Sequence, residues 1–110
     1  MITKPSPQQQ TVEMLHELGF PVHRIGYKQL CIAIPYFALD DTRSITKEVY
    51  PYLAEHFQYP DCRAAESAIR DTIHQAWTQR DSVVWKRYFS NPDKQPTNKG
   101  FIATLAERLK

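Results

Sequence analysis

A chain of 110 residues, with 42% hydrophobic and 24% charged residues, has the composition of one compact globular domain, which argues against disorder, a fibrous repeat or a second core. The apolar stretch at residues 31–39 is about half the length of a membrane-spanning helix, and the N-terminus lacks an apolar signal core, so we expect a cytoplasmic protein with no membrane partner. A net charge of +2 does not by itself indicate a polyanion partner, although residues 81–110 are basic, with 6 Lys and Arg against 3 Asp and Glu.

Helical spacing of apolar residues and a count of only 3 glycines predict an all-α fold, a compact domain of six helices. We expect residues 1–10 to form a flexible leader and residues 11–110 to form the domain. Gly19 is predicted to end the first helix, Thr46 to cap the third, and Asp61 to cap the fourth. The predicted helices cover residues 8–18, 27–39, 46–57, 62–78, 83–88 and 98–109.

The predicted fourth helix has one apolar face and one polar stripe. Its inward side chains are Cys62, Ala65, Ile69, Ile73, Ala76 and Trp77, and its polar stripe consists of Arg63, Ser67, Arg70 and His74. Two short helices joined by a tight turn, the second with an exposed polar stripe, match a helix-turn-helix, whose second helix enters the major groove of DNA. The same periodicity also fits an ordinary amphipathic helix on the surface of a helical bundle.

A resemblance to a known family adds to this pattern. Four segments, in order, are similar to the C-terminal DNA-binding effector domain of the master sporulation response regulator: LHELGFPVHRIGYKQL (15–30), SITKEVYPYLAEHF (44–57), AESAIRDTIHQAW (65–77) and KQPTNKGFIATLAERLK (94–110). The resemblance implies a six-helix domain whose third and fourth helices form a helix-turn-helix on promoter DNA. It also implies transcription regulation, homodimers on tandem sites and an RNA polymerase sigma factor as partner.

Candidate DNA contacts follow from the resemblance and from the polar stripe. Base-reading candidates are Arg63, Glu66, Ser67, Arg70 and His74, because arginine can bind guanine through two hydrogen bonds. Basic side chains elsewhere are candidates for phosphate contacts. They are Lys47, Lys86, Arg87, Lys94 and Lys99.

The sequence departs from the family pattern in three respects. We expect no receiver domain before residue 11, and the loop between Ser90 and Gln95 is about four residues shorter than usual in the family. In the fourth helix, two arginines of the family pattern are replaced by Ala64 and Ser67, and Arg63 is the arginine available to substitute. Because each bidentate arginine contributes about 1–3 kcal/mol of base discrimination, the usual target box of the family need not be the one read here.

The alternative function is a protein-interaction module, or a degenerate regulator that has lost specific DNA readout and binds a sigma factor or a full-length regulator. An enzyme is not expected, since the chain contains no metal-binding H-E-x-x-H or C-x-x-C pattern and no glycine-rich phosphate loop. Accordingly we predict no catalytic residue, no metal and no cofactor. Cys31 and Cys62 are expected to be reduced thiols in the core.

Overall fold

A computed structural model describes residues 5–91 and 93–109, and over these residues the fold is all-helical, which confirms the predicted fold class. Six α-helices and one π-helical turn follow one another without a strand in the described part of the chain. Among these residues, no helix combines the length and the apolar character that crossing a membrane requires. The elements are α1 (Pro7–Glu17), α2 (Ile25–Leu39), a π-helical turn (Ile45–Val49), α3 (Tyr50–His56), α4 (Cys62–Thr78), α5 (Ser82–Lys86) and α6 (Asn98–Glu107).

Local capping signals set both ends of α1. The N–H of Gln9 donates to Ser6 Oγ and the N–H of Ser6 donates to Gln9 Oε1, both at 3.1 Å, which forms a capping box. The helix therefore begins at Pro7, within the predicted leader, of which residues 1–4 lie outside the described residues. At the other end Gly19 has a φ of 82°, so it ends α1 as predicted, and the Phe20 N–H returns to the Leu15 carbonyl at 2.9 Å.

The entry to α3 differs from the sequence prediction. Thr46 does not cap this segment; the Ser44 hydroxyl accepts the Lys47 N–H at 3.1 Å, and the Ser44 N–H donates to Glu48 Oε2 at 3.2 Å. The backbone then forms a wide π-helical turn before α3. A proline ring in a regular helix clashes with the carbonyl four residues earlier, so the wider turn accommodates Pro51, and the cap moves back to the extended residue Ser44.

The turn of residues 57–61 joins α3 to α4. Gln58 adopts the left-handed region with a φ of 59°, and the Tyr59 N–H returns to the Ala54 carbonyl at 2.8 Å, which closes α3 with a Schellman motif. Asp61 caps α4 as predicted, because its Oδ1 accepts the N–H groups of Arg63 and Ala64 at 2.9 and 3.3 Å. The two helices therefore form the predicted helix-turn-helix.

The centre of the core is α2, which packs against α1, α4 and α6, while α3 packs against α4. A helix that is apolar nearly all round must be surrounded by other helices, and this explains its central position. Most of the predicted inward face of α4 is buried, but Cys62 and Trp77 are only half-buried. Trp77 lies near the end of α4, where the Arg80 guanidinium stacks 3.6 Å from its ring centre.

Candidate nucleic-acid interface

The exposed face of α4 holds all five predicted base-reading side chains. The exposed fraction is 88% for the Arg63 side chain, 55% for Arg70 and 45% for Glu66. His74 is also exposed, and Ser67 is half-buried. On the opposite side Ala65, Ile69, Ile73 and Ala76 are buried against the core, so the polar face is the one that α4 presents to solvent.

Both arginines of this face have an acidic partner within hydrogen-bonding distance. Arg70 Nη1 lies 3.0 Å from Glu66 Oε1, one helical turn earlier, and its Nη2 lies 3.4 Å from Ser67 Oγ. Arg63 Nη2 lies 3.2 Å from Asp61 Oδ2. Such exposed pairs contribute little to stability, so the guanidinium groups can exchange these partners for a base or a phosphate.

The Asp61 carboxylate stabilises the first turn of α4 through its charge as well as through its hydrogen bonds. Partial desolvation opposes its ionisation, but hydrogen bonds from the Arg63 side chain and from the N–H groups of Arg63 and Ala64 outweigh it and hold the pKa of Asp61 below its usual range. The carboxylate therefore stays ionised at neutral pH. A negative charge at this position complements the positive end of the helix dipole.

A groove of about 610 Å³ runs beside the polar face of α4, between the entry to α3 and the start of α6. We call it the α4 groove. Its wall contains Glu66 and Arg70 from α4, and its far side contains the basic side chain of Lys99. The lining residues are Thr46, Tyr50, Glu66, Arg70, Gln95, Pro96, Thr97, Asn98 and Lys99.

The predicted phosphate-binding residues occupy different places around the fold. Lys99 lines the α4 groove with Arg70, and Lys94 lines a neighbouring cleft of about 200 Å³ that shares residues 95–97 with it. Lys47 is exposed and follows Thr46 of the groove in the chain. In contrast, Arg87 is bound to Glu17 of α1 at 2.9 Å, and Lys86 is exposed at the end of α5.

Three polar contacts of this surface were not predicted from the sequence. His74 Nδ1 lies 2.8 Å from Gln95 Oε1, which joins the polar face of α4 to the loop before α6. Asn98 Nδ2 donates to the Glu66 carbonyl at 3.0 Å and to the Tyr50 hydroxyl at 3.1 Å. All three contacts join residues more than 20 positions apart, so no local pattern in the sequence indicates them.

The buried side of α4 carries a further unpredicted contact. Gln29 is fully buried in α2, where its Nε2 donates to the Ala65 carbonyl at 2.9 Å. The sequence signal for this contact is a glutamine at a core position of a helix, because a buried amide requires a hydrogen-bond partner.

Over residues 5–91 and 93–109, no group of three or more His, Cys, Asp or Glu side chains is arranged to hold a metal ion. Cys31 and Cys62 are both free thiols and are half-buried.

A family comparison agrees with the geometry of the site. The family model described as sporulation initiation factor Spo0A, C terminal, matches residues 11–109, nearly the whole chain. This match confirms the resemblance seen in the four sequence segments, and the all-helical fold with its helix-turn-helix is consistent with it. Domains of this family are DNA-binding domains of transcription regulators. The chain therefore belongs to the family of the C-terminal, DNA-binding domain of the sporulation initiation factor Spo0A.

Proposed function

We propose that the chain regulates transcription by binding double-stranded promoter DNA with sequence preference, with α4 as its recognition helix. The observation that supports this proposal most is the polar face of α4, on which Arg63, Arg70 and His74 are exposed and Ser67 is half-buried, while the opposite face is buried. A helix with its side chains is about 10–12 Å across and the major groove is about 12 Å wide, so α4 fits the groove. Its five candidate readers are Arg63, Glu66, Ser67, Arg70 and His74.

Basic residues around α4 support contacts with the phosphate backbone on both sides of that groove. Lys47 lies beside the entry to α3, and Lys94 and Lys99 lie beside the start of α6, so they flank the recognition helix. Lys86 and Arg87 near α5 extend this set, and Arg87 would exchange Glu17 for a phosphate oxygen. Phosphate contacts of this kind set the register of a protein on DNA without reading its sequence.

Family membership extends the proposal to binding partners and to the cellular location. We propose that the chain binds tandem promoter sites as a homodimer, contacts an RNA polymerase sigma factor, and acts in the cytoplasm. Repeated sites give a geometric signature, because two recognition helices on one face of B-DNA require half-sites about one helical turn apart.

The experiment that tests the proposal is selection of a random duplex library on the purified chain. Fluorescence anisotropy then compares the enriched duplex with a scrambled duplex at several salt concentrations. We expect the enriched duplex to bind about 10³-fold more tightly, as in other specific complexes. Weak and equal binding to both duplexes that disappears as salt rises would reduce the interaction to phosphate attraction and reject base readout.

One observation favours a second candidate, a protein-interaction module. The charges of α4 cancel, since Arg63 and Arg70 are matched by Glu66 and Asp71, and the two arginines already have acidic partners. A near-neutral recognition helix attracts DNA weakly. Under this candidate the polar face binds a sigma factor or a full-length regulator.

A binding assay separates the two candidates. Immobilised chain would retain a purified sigma factor or full-length regulator if α4 is a protein-binding face, and Arg63→Ala and Arg70→Ala would abolish that retention, whereas a sigma contact elsewhere on the fold would survive both substitutions. Retention that the enriched duplex abolishes would instead place DNA and protein on the same surface.

A further inference from the structure

We propose that Gln29 of α2 and Asn98 of α6 are positioning residues, which fix the rotation of α4 about its own axis and thereby decide which side chains reach the bases. This inference rests on the proposed function of α4 and deepens it. Neither residue is on the exposed face of the recognition helix, and neither is a candidate for contact with a base.

The two residues act on adjacent carbonyl groups of α4. Gln29 Nε2 donates to the Ala65 carbonyl at 2.9 Å, and Asn98 Nδ2 donates to the Glu66 carbonyl at 3.0 Å. Successive residues of an α-helix are about 100° apart around its axis. The helix is therefore held from two directions, by α2 and by α6, and a rotation in either sense strains one of the two hydrogen bonds.

Each amide is in turn oriented by a tyrosine of the helix-turn-helix. The Tyr59 hydroxyl in the turn donates to Gln29 Oε1, which leaves the NH₂ group of Gln29 for the Ala65 carbonyl. Asn98 Nδ2 also donates to the Tyr50 hydroxyl of α3 at 3.1 Å. Because these partners fix which end of each amide faces α4, the two hydrogen bonds have a defined direction.

The apolar contacts of α4 do not fix its rotation about its own axis. Hydrophobic burial is non-directional, so the contacts of Ile69 and Ile73 tolerate a small rotation of the helix. A rotation of about 20° at a radius of about 5–6 Å moves a side-chain group by about 2 Å. Hydrogen bonds to base edges do not survive such a shift, since donor and acceptor must lie about 2.7–3.2 Å apart. The two hydrogen-bonded carbonyls, those of Ala65 and Glu66, lie in the turn of α4 that carries the candidate base-reading side chains of Glu66 and Ser67.

Two substitutions remove the hydrogen bonds with little change of volume. Gln29→Met replaces the amide with an apolar chain of similar length, and Asn98→Asp removes both donors while leaving an acidic residue in the first turn of α6, where it is favourable. The matched control is Gln8→Met, the same replacement at an exposed position of α1. The single variants and the double variant are compared with the wild type.

The first measurement needs no DNA. Residual dipolar couplings of backbone N–H groups report the orientation of α4 relative to α2 and α6 in the free protein. We expect the couplings of α4 in the double variant to depart from the wild-type orientation, while those of the other helices and of Gln8→Met stay unchanged. Wild-type couplings throughout α4 in all three variants would overturn the inference.

The second measurement is the ratio of affinities for the enriched and the scrambled duplex. We expect this ratio to fall about tenfold in the double variant, which corresponds to the loss of one base contact, while the affinity for the scrambled duplex changes less than about twofold. An unchanged ratio in the double variant would also overturn the inference. If the wild type itself shows no preference, the proposed function fails, and the dipolar couplings still decide whether Gln29 and Asn98 orient α4.

Discussion

Gly26 of α2 lies directly against Thr72 of α4, so close that a methyl group on Gly26 would stand 2.7 Å from the Thr72 Cβ and would overlap its hydroxyl oxygen. The same methyl group would overlap the backbone carbonyl of Ala68. Glycine at this position therefore allows α4 to pack on α2 with its backbone nearly in contact. This contact sets the spacing of α2 and α4, and the position of the polar face of α4 depends on that spacing.

Gly26→Ala is expected to lower the free energy of unfolding by about 1–2 kcal/mol. Overpacking costs about 1–3 kcal/mol, and the higher helix propensity of alanine returns about 1 kcal/mol or less. Urea unfolding followed by circular dichroism measures the change. Gly100→Ala is the control, because its methyl group would meet only the Thr97 hydroxyl, at 3.2 Å, and we expect a change below about 1 kcal/mol. Wild-type stability of Gly26→Ala would contradict the close approach.

Arg70→Ala is expected to weaken binding of the enriched duplex by about 1–3 kcal/mol, because a bidentate arginine contact with guanine contributes that much discrimination. The fold should be unaffected, since an exposed pair one turn apart, such as Arg70 with Glu66, is worth about 0.3–0.5 kcal/mol. Anisotropy titrations of the enriched and scrambled duplexes measure the effect. Arg24→Ala removes an exposed charge outside α4 and serves as the control. Equal losses in the two variants would leave Arg70 with no role in base reading.

Lys99→Ala is expected to weaken binding of the enriched and scrambled duplexes to a similar extent. A phosphate contact carries no sequence information, and its loss lowers the slope of log affinity against log salt by about one. The measurement is a salt titration of both duplexes, with Lys28→Ala on the exposed part of α2 as the charge-matched control. A slope that Lys99→Ala leaves at the wild-type value would remove Lys99 from the DNA contacts.

Gln58→Gly is expected to stabilise the fold by about 1 kcal/mol. Gln58 closes α3 in the left-handed region, with a φ of 59°, where a residue with a Cβ is strained by about 1–2 kcal/mol and glycine is not. Thermal unfolding reports the gain as a higher Tm. His23→Gly, at an exposed position outside the helices with no positive φ, should not raise the Tm. A lower Tm for Gln58→Gly would show that its side chain matters more than its backbone.

Because of Tyr27, we expect the folded protein to lose stability in alkaline solution. Burial, together with the neighbouring Cys31, raises the pKa of the Tyr27 phenol from 10.0 to about 12. The folded state therefore holds its proton more tightly than the unfolded chain, so the contribution is complete below pH 10 and is lost as the pH rises towards about 12. Urea midpoints between pH 9 and 12 should fall less steeply for Tyr27→Phe than for the wild type. Identical slopes would show that Tyr27 does not contribute to the alkaline transition.

Most features that depend on near neighbours in the chain were predicted correctly from the sequence. The exception is the cap before α3, which is Ser44 and not Thr46 because the backbone widens ahead of Pro51. Gly19 ends α1 and Asp61 caps α4 because each forms its hydrogen bonds within a few residues, so the residue type is itself the signal. The burial of Ile69 and Ile73 followed from helical periodicity for the same reason. The helix-turn-helix was predictable because all of its signals lie between the start of α3 and the end of α4.

Contacts between distant parts of the chain were decided only in the tertiary structure. Arg87 binds Glu17, 70 positions earlier in the chain, and so lies against α1.

The orientation of α4 also depends on contacts between distant residues. Gln29 and Asn98 bind residues of α4 that are 36 and 32 positions away in the chain, and the periodicity of the sequence indicates neither contact. A local pattern determines that a helix forms and which face it buries. How that helix is rotated and held depends on directional bonds from residues that only folding brings together.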